Sequence, residues 1–222
     1  MYQNVKSDQH IPRATIQRLA TYLQVLEAFD KSLDGKEGRE RETISSDKLA
    51  AMCDVNASQV RKDLAYFGQF GTRGLGYYVT YLIDVIKDCV NANRRWRAAL
   101  VGVGNMGRAL LNYKEFGRRN FTITGVFDCD PFKIGDRVYG LEIYSTESLI
   151  EKIPELGIEI GIITVPAEHA QDAAEKLVAA GIRGILNYSS ARIRVSSDVP
   201  VEYVNFFHQL YSLTYNVSKI QR

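Results

Sequence analysis

Gly102, Gly104 and Gly107 stand directly after an apolar run, Trp96–Val103, and at the start of an amphipathic stretch, Met106–Phe116. In a strand-to-helix turn this spacing suits a dinucleotide. The first glycine permits the tight turn, the second lets backbone approach a pyrophosphate, and the third lets helix and strand pack closely, with phosphate resting on the helix start. Val103, Asn105 and Met106 fill the turn between them. A second run, Phe121–Phe127, ends at Asp128, about 20 residues beyond the glycines, where a carboxylate accepts hydrogen bonds from an adenosine ribose and repels a 2′-phosphate. NAD(H) is therefore favoured over NADP(H), a preference that Lys133 nearby tempers. Thr164-Val165-Pro166 closes a further run, Ile158–Val165, at the carboxyl edge where such sheets bind ligand; Pro166 suits the first turn of the next helix equally well.

A second constellation lies in ASQVRKDLAYF. Val60, Leu64 and Phe67 fall on a packing stripe, while Gln59, Lys62, Asp63 and Tyr66 line a different face beside Ser58 and Arg61. Ahead of it, Ser45 or Ser46 can cap a short helix carrying Leu49, Ala50 and Cys53, and Asp54-Val55-Asn56 makes a tight turn. Asn56 with Gln59 imitates a capping box. Short helix, tight turn and second helix with basic residues near its start is a geometry that enters a DNA major groove. In GQFGTRGLGYYV, glycines around Thr72, Arg73 and Gly74 make a hairpin whose tip could put a guanidinium into a minor groove, or an ordinary turn with a solvated arginine.

Other chemistries find little support. His10, His169 and His208 lack an accompanying substrate-binding arginine or acid–base pair, so no catalytic residue is expected. Cys53, Cys89 and Cys129 are odd in number and widely spaced, which suggests neither a disulfide framework nor a metal site. The N-terminus lacks the apolar core of a signal peptide and no run is long enough for a membrane span, so a cytoplasmic protein without membrane partners is expected. A net charge of +2 is too mild to announce a nucleic-acid binder by itself.

The elements that must position these groups follow from periodicity. Ile16, Leu19, Leu23 and Leu26 predict a helix over about 13–29, followed by a charged, glycine-containing loop. Tyr81–Asn93 reads as a linking helix, ending in NRRWR. Beyond it, extended and helical segments alternate: Leu141–Tyr144, a helix from Thr146, Ile158–Val165, a helix Ala167–Ala180, and Gly184–Tyr188. The expected fold is α/β: an N-terminal winged helix-turn-helix domain (1–80), a linking helix and connector (81–95), and a doubly wound parallel Rossmann sheet (96–200). A C-terminal segment (201–222) follows, whose Phe206, Phe207, Leu210, Leu213 and Val217 exceed what one such sheet needs; a helix exchanged across a homodimer would bury them.

With RKDLAYFGQFGTRGLGY, NRRW, VGVGNMG, FDCDPFKIG, TVP and AAGIRGILNYS in this order, the chain resembles the Rex family of redox-sensing repressors over nearly its whole length. The resemblance implies a winged-helix head, a Rossmann domain and a domain-swapped C-terminal helix in a homodimer that represses genes of anaerobic metabolism and leaves its palindromic operator when NADH binds. Carried over by position, Gly102–Gly107 hold the pyrophosphate, Asp128 the ribose, and Tyr113, Thr164, Val165 and Pro166 the nicotinamide end, with Phe206 from the swapped segment reaching the partner's pocket. Some members link a helix-one arginine, an aspartate and a tyrosine as a switch; here the first two positions are Gln24 and Asn205, and only Tyr113 is retained. Lys62 would then serve phosphate, Arg61 and Gln59 base edges or phosphate, and Arg73 the minor groove. The rival readings are an NAD-dependent oxidoreductase, for which a substrate domain is missing, and a coenzyme-A-binding module, which Asp128 suits poorly.

Overall fold

The computed structural model describes residues 11–35, 38–68, 71–72 and 74–220. The chain divides into two compact units, one ending at Arg94 and one beginning at Arg95.

The first unit runs α1 (Arg13–Lys31), β1 (Thr43–Ile44), α2 (Ser46–Met52), α3 (Ala57–Ala65), β2 (Tyr77–Tyr78) and α4 (Val79–Cys89). Leu19, Tyr22 and Leu26 of α1 meet Leu49 of α2, Val60 and Leu64 of α3, and Leu82 and Ile86 of α4 in one buried core. Burying such side chains contributes about 1.5–3 kcal/mol each, which fixes α3 against the bundle. β1 and β2 pair antiparallel, Thr43 with Tyr78 and Ile44 with Tyr77, and a bridge between Thr72 and Gly76 extends the ribbon into a wing. Gly76 has φ +91°, and a Cβ there would lie 2.4 Å from the Ile44 carbonyl oxygen, so the ribbon closes only on glycine.

The segment expected to link the domains is instead a core helix. Val79, Leu82, Ile83, Val85 and Ile86 of α4 are all buried in the first unit, because an apolar stripe at helical spacing finds its partner in α1 rather than in solvent.

The second unit runs β3 (Trp96–Val101), α5 (Asn105–Leu111), α6 (Glu115–Arg118), β4 (Phe121–Asp128), β5 (Arg137–Val138), β6 (Leu141–Ser145), α7 (Leu149–Glu155), β7 (Ile160–Ile163), α8 (Ala170–Ala179), β8 (Gly184–Asn187), β9 (Val201–Tyr203) and α9 (Phe206–Ile220). Its sheet has the order β5-β6-β4-β3-β7-β8-β9, parallel throughout except for the edge pair β5–β6. Along β3, Ala99 and Val101 join the core cluster that holds Leu149 of α7 and Leu177 of α8, while Leu100 joins a second cluster with Val126 and Ile143. A strand buried on both faces explains the unbroken apolar run in the sequence. The strand order reverses between β3 and β7, and such a reversal opens a crevice at the carboxyl ends of the strands.

Two helices differ from expectation. Met106–Phe116 is broken: α5 stops at Leu111, Tyr113 closes the turn by donating its N–H to the Leu110 carbonyl, and α6 follows as a separate turn. After Pro166, Ala167–His169 forms a 3-10 turn before α8 begins. All of α9 is exposed, with Phe206, Phe207, Leu210, Leu213 and Val217 on its surface. Among the described residues no helix is long and apolar enough to cross a membrane.

Candidate nucleotide-binding cleft and DNA-binding surface

The three glycines have separable roles. Gly102 sits at φ +103°, and a Cβ there would come within 2.8 Å of Val165 Cγ1 and 2.9 Å of the Val165 nitrogen. A Cβ on Gly107 would lie 2.1 Å from the Gly102 carbonyl oxygen. Both positions are closed by protein. Gly104, with extended backbone at φ −83° and ψ −166°, faces open space, with no atom within 4 Å of its Cβ position. The turn is therefore bare of side chain where a ligand backbone approaches, and a pyrophosphate fits there. Asn105 and Met106 flank this opening on the exposed first turn of α5.

Asp128, at the end of β4, is buried and holds three protein donors. Its Oδ2 accepts the Val103 N–H at 2.7 Å and the Lys133 ammonium at 3.2 Å, and its Oδ1 accepts the Asp130 N–H at 2.9 Å. Burial alone would raise this carboxyl, but the amide donors of Asp130 and Val103 and the Lys133 ammonium outweigh it and hold the group below its usual range. Lys133 is in turn shared with Asp130 at 3.4 Å. A carboxylate offers about four lone-pair positions, so about one remains for a ribose hydroxyl.

Across the crevice, the Thr164 hydroxyl donates to the Gly102 carbonyl at 2.7 Å, and Val165 packs over Gly102. These two residues hold the turn closed from the β7 side, and Pro166, exposed, begins the 3-10 turn. Tyr113 is 58% exposed and stands edge-on to Phe116, with ring centroids 5.9 Å apart. Sequence reasoning missed Tyr188 and Ser189 just beyond β8. Tyr188 donates its N–H to the Ile163 carbonyl, and its phenol is pushed up by burial and further by the nearby Tyr113 phenol. The Ser189 Oγ is buried without a hydrogen-bond partner among the described residues. The available signal was position: both follow β8, the strand that pairs with β7 on one side of the reversal point.

In the first unit, Ser45 caps α2 by accepting the Lys48 N–H at 3.1 Å, and Asn56 caps α3 by accepting the Gln59 N–H at 2.8 Å. The Ser58 hydroxyl also donates to Asn56 Oδ1. Ser58, Arg61 and Lys62 are exposed, and Arg61 donates to the Ser46 hydroxyl at 2.7 Å. Arg61, Thr72 and Gly74 line a cleft of about 380 Å³ between α3 and the wing. The face expected to carry Gln59, Lys62, Asp63 and Tyr66 is divided: Asp63 is fully buried, Tyr66 packs against the core, and Gln59 is half-buried with its Nε2 donating to Asp63 Oδ1 at 2.9 Å. Asp63 turns inward because Arg18, Tyr22 and Thr15 of α1 supply its hydrogen bonds. Arg73 lies outside the described residues.

Among the described residues no group of His, Cys, Asp and Glu could hold a metal ion. His169 lies in the exposed 3-10 turn and His208 on exposed α9.

Comparison with known proteins agrees with this two-part construction. A family model described as "CoA binding domain" matches residues 93–191, and one described as "Putative DNA-binding protein N-terminus" matches residues 10–65. The chain is 55% identical to the redox-sensing transcriptional repressor Rex of Maridesulfovibrio salexigens, over 96% of this chain and 99% of the relative. It is 44% identical to Rex 1 of Thermotoga maritima, over 94% of this chain and 97% of the relative. Among solved structures it resembles RSP, a Rex-family repressor, with a TM-score of 0.86 at 30% identity, covering 96% of this chain and 97% of RSP. RSP in complex with β-NAD⁺ and operator DNA matches with a TM-score of 0.86 at 32% identity, over 96% of this chain and 95% of that one. RSP in complex with β-NADH matches at 0.85 and 30%, over 96% and 97% of the two chains. The chain belongs to the Rex family of redox-sensing transcriptional repressors.

Proposed function

We propose that the chain is a homodimeric, cytoplasmic repressor that binds palindromic operator DNA through α3 and the wing, holds NAD⁺ or NADH at the turn after β3, and leaves the operator when NADH is bound. It is a regulator and not an enzyme. The observation that carries this reading is the Gly104 turn: it is open to a ligand, sits where the strand order reverses, and belongs to a chain whose other unit is a capped helix-turn-helix.

The residues divide by role. Gly102, Val103, Gly104, Asn105, Met106 and Gly107 cradle the diphosphate. Asp128, backed by Lys133, orients the ribose with its remaining lone pair. Tyr113, Val165 and Pro166 line the nicotinamide end, Thr164 holds that wall in place, and Phe206 completes it from the exchanged α9. The bound dinucleotide supplies a ring that is cationic when oxidised and neutral when reduced. An apolar wall makes burial of an uncompensated charge costly, so the pocket prefers NADH. Preference of NADH for the state that cannot hold DNA then shifts the population away from the operator.

On DNA, the Lys62 ammonium meets phosphate, Arg61 and Gln59 meet base edges or phosphate, and Ser58, Tyr66, Thr72, Arg73 and Gly74 complete the contact surface. The test is fluorescence-anisotropy binding to a labelled palindromic operator at fixed salt, titrated separately with NADH and NAD⁺. Release by NADH but not by NAD⁺ is expected. Binding indifferent to both would remove the redox role, and absence of binding would remove the repressor role.

A further inference from the structure

We propose that Asp63 is a positioning residue that sets which bases α3 can read, by fixing the side-chain amide of Gln59. The inference rests on the DNA-binding reading above and adds a specificity to it.

Every group around Asp63 is a donor. Arg18 grips the carboxylate with Nε on Oδ2 at 2.6 Å and a terminal nitrogen on Oδ1 at 2.7 Å, the Tyr22 hydroxyl donates at 2.9 Å, and Thr15 at 3.2 Å. Asp63 is 0% exposed, and burial alone would raise its carboxyl, but the Arg18, Tyr22 and Gln59 donors outweigh it and hold the group below its usual range, so the carboxylate stays ionised and acts only as an acceptor. An amide beside it can approach in one sense: Gln59 Nε2 faces Asp63 at 2.9 Å, and its carbonyl oxygen has no partner among the described residues. An inverted amide would set oxygen against oxygen.

Gln59 is the third residue of α3, in the turn capped by Asn56, and a recognition helix contacts base edges from its first turns. A free carbonyl there accepts from the N6 amine of adenine or the N4 amine of cytosine, and meets only acceptors on the corresponding edges of guanine and thymine. Exposed Arg61 and Lys62 bring donors alone, which favour the opposite edges. The Gln59 carbonyl is thus aimed by a buried anion whose own bonds tie α3 to α1.

The experiment measures the affinity of full-length protein for a labelled palindromic operator and for a set carrying each single base-pair change in both half-sites. The wild type should prefer an exocyclic amine at one position by about tenfold. In Asp63→Asn, whose amide can either donate or accept, that preference should fall to within about twofold while the ranking at other positions persists. Gln59→Met, which leaves the Arg18–Asp63–Tyr22 bonds in place, should lose the same preference at the same position. Wild-type binding with no amine preference at any position overturns the proposal alone, as does an unchanged preference in Gln59→Met or in folded Asp63→Asn. Failure of the wild type to bind any of the operators overturns the DNA-binding reading with it.

Discussion

The Asp128 carboxylate, at the end of β4, accepts the backbone N–H of Val103 at 2.7 Å, so the residue expected to face the nucleotide ribose also anchors the glycine turn that receives its phosphates. One side chain thereby couples two parts of the cleft. Asp128→Asn keeps the size but sets an amide nitrogen against the Lys133 ammonium or the donor N–H groups. Affinity for NADH and NAD⁺ should fall together, by about tenfold or more for loss of a charge-assisted bond. Calorimetric titration of both nucleotides checks this, and a selective loss for one of them would contradict the anchoring role.

Gly104→Ala and Gly107→Ala should separate binding from folding. A methyl group on Gly104 enters open space from an extended backbone that alanine adopts readily, so stability should hold while nucleotide affinity drops. A methyl group on Gly107 would sit 2.1 Å from the Gly102 carbonyl oxygen, and relieving that clash should cost about 1–3 kcal/mol. Trp96, the single tryptophan, opens β3 and reports unfolding of this unit in urea. Equal destabilisation by the two substitutions would refute the division of roles.

What was legible in the sequence was what local pattern encodes. The glycine spacing after an apolar strand, the Asn56 cap and the alternation of strands and helices all correspond to observed elements, because each depends on neighbours within a few residues. The burial of Asp63 is not legible locally because its partner Arg18 is 45 residues away, and a polar residue beside Lys62 reads as surface without that arginine. The sequence of α4 reads as a connector because nothing local distinguishes an apolar stripe that packs on α1 from one that bridges units. Tyr188 and Ser189 escaped notice because their setting depends on the strand order, which no local signal carries.

The exposed apolar face of α9 should be covered by a second copy of the chain. Leu210 and Leu213 are 49% and 57% exposed, and a contiguous apolar surface of this kind is costly to leave in water. The double substitution Leu210→Asp, Leu213→Asp should convert a dimer to a monomer in sedimentation equilibrium. Affinity for a palindromic operator should then fall by about a hundredfold or more, since the two heads no longer bind as a linked pair. A variant that stays dimeric would put the interface elsewhere.

Acid should weaken the second unit through Asp128. Its carboxyl is held below the ordinary aspartate value of 3.8 in the folded chain, as the Asp130 and Val103 amides and Lys133 overcome the effect of burial. A depressed carboxyl contributes stability that is fully present well above its unfolded pKa and is lost as pH falls through the folded value. Lys133, raised above 10.5 despite partial burial by Asp128 and Asp130, contributes stability that is lost only as pH rises beyond that range. Urea midpoints read from Trp96 fluorescence should therefore be level from pH 6 to 8 with respect to this pair and fall below about pH 4. In Asp128→Asn the neutral-pH midpoint should be lower and the acid fall shallower, because that variant has no carboxylate left to protonate at this position. An acid limb as steep as in the wild type would mean that the stabilising charge lies on another residue.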